Sequence, residues 1–273
     1  DLLRIGYQNR PLLFDLNIKL PELLYDRVIE VSERLDAKGN IVTDLDKESV
    51  RKALKEAKAD GIKGVAIAFM HSYLNPIHEE IIANIAIEEK FLQISVSHKV
   101  SPLIKLVGRA DTTVVDAYLS PILRRYVDQV SNELDNTKST KLMFMQSNGG
   151  LTDANLFQGK DALLSGPAGG VVSMAQTGIQ AGFNKLIGFD MGGTSTDVCH
   201  FSGEYKRSFE TEVAGVRIRA PMMQIHTVAA GGGSILSFKD GRFQVGPESA
   251  GAIPGPASYG KDGPLTVTDC NVL

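Results

Sequence analysis

Cysteine is nearly missing from this chain. Cys199 and Cys270 are the only two in 273 residues. They are too few for a disulfide framework and lack the C-x-x-C spacing of metal or redox motifs. The cytoplasm is therefore the expected compartment. Long apolar runs are missing too. Residues 64–70 form one of the longest, far short of a bilayer span, so no membrane association is expected. No charged-then-apolar signal segment opens the chain. An excess of base is also lacking. Lys and Arg number 29 against 32 Asp and Glu, interleaved, for a net charge of −3. That balance argues against nucleic acid as a partner. Internal repeats and low-complexity segments do not occur.

What is present is an ordinary globular composition. Hydrophobic residues make up 43% and charged residues 22%, enough to bury a core in one large domain or two moderate ones. Glycine numbers 27 and clusters after residue 148. Glycine beside strands marks close approach of the backbone to a ligand, whereas glycine in bulk marks loops. The chain opens on Asp1 rather than Met and stops without a polar tail, the texture expected of a piece of a longer protein.

Alternating strand and helix patterns predict an α/β layer with a largely parallel sheet. Residues 27–35 and 40–43 read as a hairpin, and 47–59 as an amphipathic helix through Val50, Ala53, Leu54 and Ala57. Residues 65–70 and 91–97 read as strands flanking a helix over 76–90. A boundary is expected near 99–108, dividing the chain into 1–98 and 99–273. Beyond it come a helix over 121–135, a strand over 141–146, a helix over 167–181, and strands over 185–190 and 196–201. Short strands and Gly/Pro-rich loops complete the chain.

The strongest signal is Leu186-Ile-Gly-Phe-Asp190-Met-Gly-Gly-Thr-Ser-Thr-Asp197. An apolar strand delivers an acid, then a Gly-Gly-Thr turn, then a second strand. Gly192 and Gly193 let backbone N–H groups converge on an anion without a Cβ in the way, and Thr194 and Ser195 add hydroxyls. Asp190 stands where it could hold Mg2+ through water, since hard cations take carboxylate and water ligands. Asp197 could orient the loop, contact the metal or bond locally. No Lys-Ser/Thr follows the glycines, so this is not a P-loop. By itself the motif also fits a tight hairpin with a surface acid. Upstream lies Ser165-Gly-Pro-Ala-Gly-Gly170, opening a helix that leads into the strand. Together the two resemble the actin-like ATPase superfamily of sugar kinases and heat-shock chaperones, which implies close packing of Gly166 and Gly169 at the nucleotide.

A narrower likeness follows from the full set. Gly188–Asp197, Ser165–Gly170 and Gln146-Ser-Asn-Gly-Gly150 resemble the hydantoinase A / 5-oxoprolinase family. So do His226-Thr-Val-Ala-Ala-Gly-Gly-Gly-Ser234, Val245-Gly-Pro-Glu-Ser-Ala-Gly251, Ile5-Gly-Tyr-Gln-Asn-Arg10 and Thr266-Val-Thr-Asp269. The resemblance implies an actin-like (ribonuclease H-like) ATPase core, here incomplete at both ends, with ATP and Mg2+ as cofactors. It implies opening of 5-oxoproline or hydantoin rings, or carboxylation of ketones, often with a hydantoinase B-type subunit or domain. The family's earlier Gly-Gly-Thr hairpin and its later adenosine-binding glycines are not in this sequence, so weak ATP binding and inactivity are expected of the isolated piece. Ser258 replaces a common Cys, and Ala229 a common Gly.

ATP-driven phosphorylation of an amide oxygen makes a good leaving group, and catalysis is then positioning and charge neutralisation. Gly231, Gly232 and Gly233 are candidates to line the phosphate or substrate, with a glycine hinge as the other reading. His226 is a candidate acid or base, or a structural histidine. Arg109 and Asp111 are expected to pair at a helix start. Two further classes stay open: a small-molecule kinase, and a nucleotide-dependent switch without enzymatic activity.

Overall fold

A computed structural model describes residues 2–5, 14–18, 22–134, 141–213 and 215–273. The family-like residues 6–10, and Asp135 at the end of an expected helix, lie outside them. The fold divides into two compact units. The first comprises 1–146, 150–163 and 208–222, and the second 147–149, 164–207 and 223–273. Among the described residues, no helix is long and apolar enough to cross a membrane.

In the first unit the helix Lys47–Ala59 matches its expected bounds and turns Val50, Leu54 and Ala57 inward. Asp46 caps it by accepting from the Ser49 N–H at 3.1 Å, a contact that contributes about 1 kcal/mol. The helix Ile77–Glu88 links the strands Gly64–Ile67 and Gln93–Val96, which pair in parallel. Leu54, Ile67, Ile82, Ile85 and Val96 form their common core. This is the one β-α-β unit that the alternation foretold. Every other strand pair of described register is antiparallel. The expected largely parallel sheet is therefore corrected. Most of these strands are joined by short turns, and a parallel pair needs a crossover of a dozen residues or so. The early hairpin is shorter than expected, with Arg34–Leu35 against Ile41–Thr43.

The helix expected to begin at Pro121 begins at Leu106 and runs through the proline to Glu133. Proline removes one rung of the ladder. Burial of Val115, Asp116, Ser120 and Val127 on either side holds the helix together across that gap. Its first turn carries Arg109, wholly buried. Arg109 donates to Ser97 Oγ at 2.8 Å, to the carbonyls of Leu103 and Met70 at 2.6 and 2.9 Å, and to that of Phe69. Glu79, also wholly buried, accepts from the N–H groups of Phe69 and His98, both at 3.0 Å. Together they close the carboxyl ends of the parallel strands. The helix therefore packs with the first unit, although it follows the boundary expected near 99–108.

The expected Arg109–Asp111 pair is not formed, because Arg109 points into the strand ends. Burial pushes the Asp111 carboxyl up to about 6, and the charge of Arg217 offsets only part of that rise. A carboxyl with a raised folded value holds its proton longer folded than unfolded. Its stabilising contribution is complete below about pH 4 and declines toward pH 6, a loss on the order of 1 kcal/mol after solvent screening. Asp111→Asn should then raise the thermal midpoint by about 2–4 °C at pH 8 and by much less at pH 4. Differential scanning calorimetry checks this. A lower midpoint at pH 8 would mean that the ionised carboxylate is needed by Arg217.

Candidate functional site

In the second unit the strand Leu186–Met191 turns back through 192–195 into Thr196–Phe201, in the expected hairpin. His226–Val228 pairs with the far side of Thr196–Phe201, which leaves Leu186–Met191 at the sheet edge. Residues directly opposite share a face. Asp190 stands opposite Asp197, and Asp197 opposite Thr227. The Thr227 hydroxyl donates to Asp197 Oδ1 at 2.6 Å. Carboxylates directly opposite one another repel, and a divalent cation beside them would offset that cost. Among the described residues no cluster of three or more His, Cys, Asp or Glu could enclose a metal. Two carboxylates are within the number that magnesium commonly takes from a protein, water and phosphate completing its shell.

The helix Ser165–Gln180 covers the same face. A Cβ on Gly178 would lie 2.3 Å from Leu186 Cδ1, and one on Gly188 would lie 2.5 Å from Cys199 Sγ and 2.7 Å from Met174 Sδ. Burial there pushes the Cys199 thiol up. Helix position 178 thus meets strand position 186, and 174 meets 188. Four helical residues advance about 6 Å and two strand residues about 6.8 Å. Gly170 and Gly166 continue the same helical row toward the helix N-terminus and are exposed. There the packing opens, because a Cβ on Gly166 or Gly170 would meet nothing within 4 Å. Gly169 lies about 100° around the helix from that row.

The turn 192–195 is held from one side. Gly192 donates its N–H to Ser195 O, and the carbonyls of Gly192 and Gly193 accept from Gly232 and Gly233 at 2.9 and 2.6 Å. In a planar trans peptide the N–H points opposite to its C=O. The N–H groups of Gly193 and Thr194 are consequently turned away from residues 231–233, and neither has an acceptor among the described residues. Two such donors side by side, with the Thr194 and Ser195 hydroxyls, are a candidate anion site.

Gly231, Gly232 and Gly233 are therefore the buttress of the turn. A Cβ on Gly231 would lie 2.7 Å from Gly192 O, and one on Gly233 would lie 2.8 Å from Gly193 O. The close approach inferred from these glycines is present, and its partner is the hairpin backbone. His226, a candidate acid or base, lies on the other face of the sheet. It stands opposite Val198, and neighbouring strand residues point to opposite faces, so it lies across the sheet from Asp190 and Asp197. Thr227, one position on, reaches the acid row instead. Strand alternation placed on the His226-Thr-Val segment is the signal that would have found it. The strand residues Ile187, Phe189 and Met191 alternate with Gly188 and Asp190 and stand exposed on that other face.

Gly231→Ala should cost about 1–3 kcal/mol, because its neighbours at 2.7–2.8 Å are backbone atoms that cannot swing aside. Gly166→Ala meets open space and should leave stability equal or higher by up to about 1 kcal/mol. Urea unfolding of the two variants compares them directly. Equal stabilities would remove the buttress from this description.

With this geometry in view, comparisons with known proteins place the chain. A family model described as Hydantoinase/oxoprolinase matches residues 109–273, and one described as its N-terminal region matches residues 1–90. A 5-oxoprolinase of Saccharomyces cerevisiae is 47% identical over 302 residues, covering 100% of this chain and 24% of that protein's length. The crystal structure of an ATP-dependent caprolactamase from Pseudomonas jessenii superposes with TM-score 0.79 at 33% identity, over 99% of this chain and 40% of that one. A nucleotide-free acetone carboxylase superposes with TM-score 0.74 at 28% identity, over 88% of this chain and 35% of that one. The paired acids and the buttressed turn thus stand on a mixed α/β chain that belongs to the hydantoinase/oxoprolinase family.

Proposed function

We propose that this chain is the phosphate-binding portion of an ATP-dependent enzyme that opens a cyclic amide of the 5-oxoproline class. The observation that carries the reading is the pairing of Asp190 with Asp197 beside a turn whose Gly193 and Thr194 N–H groups have no acceptor among the described residues. That combination suits a magnesium-bound polyphosphate and has no evident use in a purely structural hairpin. The actin-like, ribonuclease H-like core is the architecture we assign, with 1–98 and 99–273 as its family divisions. The 5-oxoprolinase and caprolactamase relatives support a lactam as substrate. Likeness to acetone carboxylase supports ketone carboxylation as the second reading.

ATP, when bound, would supply a phosphoryl group that turns an amide oxygen into a leaving group. The chain's own residues then have definite tasks. Gly193 and Thr194 donate N–H groups to phosphate oxygens, with Thr194 and Ser195 hydroxyls beside them. Asp190 holds the hydrated magnesium ion. Asp197, oriented by Thr227, adds the second negative charge that attracts it. Positioning and charge neutralisation of this kind account for most phosphoryl-transfer catalysis. The chain spans 24% of the length of its 5-oxoprolinase relative, so the remaining nucleotide contacts are assigned to the rest of the protein. A hydantoinase B-type subunit or domain is the proposed partner.

The test is phosphate release from Mg-ATP by the full-length protein with its partner, with and without 5-oxoproline, hydantoins, caprolactam or acetone. Stimulation by a lactam is expected, and Asp190→Ala should reduce it about 100-fold or more. Stimulation by acetone alone would favour carboxylation. A phosphorylated organic product in place of free phosphate would indicate a kinase, and nucleotide binding with no stimulation by any of these compounds would count against the proposal.

A further inference from the structure

The buttress behind the turn is itself held by residues that the proposed chemistry does not use. The Gly232 carbonyl accepts from the Thr268 N–H at 2.8 Å and from Thr268 Oγ1 at 2.9 Å. That carbonyl shares a peptide plane with the Gly233 N–H, which donates to Gly193 O. The Gly193 carbonyl in turn shares a plane with the Thr194 N–H. Each plane carries an acceptor on one side and a donor on the other. A continuous line therefore runs from the Thr268 hydroxyl through two peptide units to the Thr194 N–H. Hydrogen bonds in such a line polarise one another.

Thr268 is fixed by its neighbours. The short helix Val267–Val272 starts at Thr266 with a capping box closed by Asp269. Asp269 is buried and accepts from the N–H groups of Ala257, Ser258 and Thr266 at 3.2, 2.7 and 2.7 Å, and from the Thr266 hydroxyl at 2.9 Å. Burial alone would raise this carboxyl. The bonds from Ser258 and Thr266 outweigh that and hold it well below the usual carboxylate range. A Cβ on Gly232 would lie 2.6 Å from Thr268 Oγ1, so the contact tolerates no side chain at 232.

We propose that Thr268, anchored by Asp269, is a positioning residue that aims the Thr194 N–H at the bound phosphate. The inference rests on the phosphate-binding reading above. Thr268 touches no substrate and acts through Gly232, Gly233 and Gly193. Loss of its hydroxyl would leave the Gly232 carbonyl held by the Thr268 N–H alone and loosen the Gly232–Gly233 plane that restrains the Gly193 carbonyl. Misplacement of a phosphate donor costs turnover more than ground-state affinity, because charge on the transferred group peaks in the transition state.

The experiment compares Thr268→Val, nearly the same in shape without the hydroxyl, with Thr268→Ser, which keeps it. Hydrogen exchange at the Gly232 and Gly233 amides is read in the full-length protein, together with kcat and KM for ATP in stimulated phosphate release. In Thr268→Val the exchange should quicken about fivefold. The kcat should fall about tenfold or more, with KM changed by less than about a factor of two. Thr268→Ser should restore both, at an unchanged thermal midpoint. Unchanged exchange in Thr268→Val, faster exchange with normal kcat, or equal damage from Ser and Val would each overturn the proposal. If the wild-type protein releases no phosphate with any substrate, the proposed function fails. The exchange data then decide on their own whether Thr268 holds the turn, and unchanged exchange would overturn that too.

Discussion

The carbonyls of Gly192 and Gly193 are occupied from behind, and the site depends on that constraint. A four-residue link between antiparallel strands could rotate its peptide planes in several ways. With both oxygens bound to Gly232 and Gly233, the planes have one orientation, and their donors point away from the buttress. The buttress works because 231–233 have no Cβ and can approach a backbone at hydrogen-bond distance. The proposed anion site is accordingly a property of two backbone segments far apart in sequence, supplemented by the hydroxyls of Thr194 and Ser195.

Glycine serves opposite ends on the helix Ser165–Gln180. At its C-terminal half, Gly178 lets the helix settle onto Leu186, and Gly188 on the strand admits Met174 and Cys199. At its N-terminal half, Gly170 and Gly166 continue the same row and leave space unfilled. Asp190 and Asp197 stand side by side on the paired strands, with Thr227 restricting how Asp197 turns. Like charges kept side by side are the feature on which the proposed cation role rests.

The first unit shows a different use of polar groups. Arg109 and Glu79 are both wholly buried, and each is surrounded by carbonyls, N–H groups or hydroxyls that satisfy it. The two meet through the Ser97 hydroxyl, which donates to Glu79 and accepts from Arg109, and loss of these bonds would leave buried polar groups unsatisfied. The network ties the carboxyl ends of the parallel strands to the start of the helix Leu106–Glu133. It explains why that helix begins well before its proline, a point that local propensity could not reveal.

By itself the sequence determined the hairpin 186–201, the helix bounds at 47–59, the β-α-β unit and the family. These follow from strand and helix periodicity, from turn chemistry and from several motifs in one order, all of which are local and additive along the chain. Tertiary structure decided what the glycines and acids do. A triple glycine looks the same whether it meets a ligand or another backbone, and only the approach of 192–193 told them apart. His226 and Thr227 are adjacent in sequence but lie on opposite faces, so the register against Asp197 chose between them. Antiparallel pairing replaced the expected parallel sheet because turn length dictates strand direction. Thr268 gained its place through bonds spanning 36 residues, a separation across which periodicity and propensity carry no information.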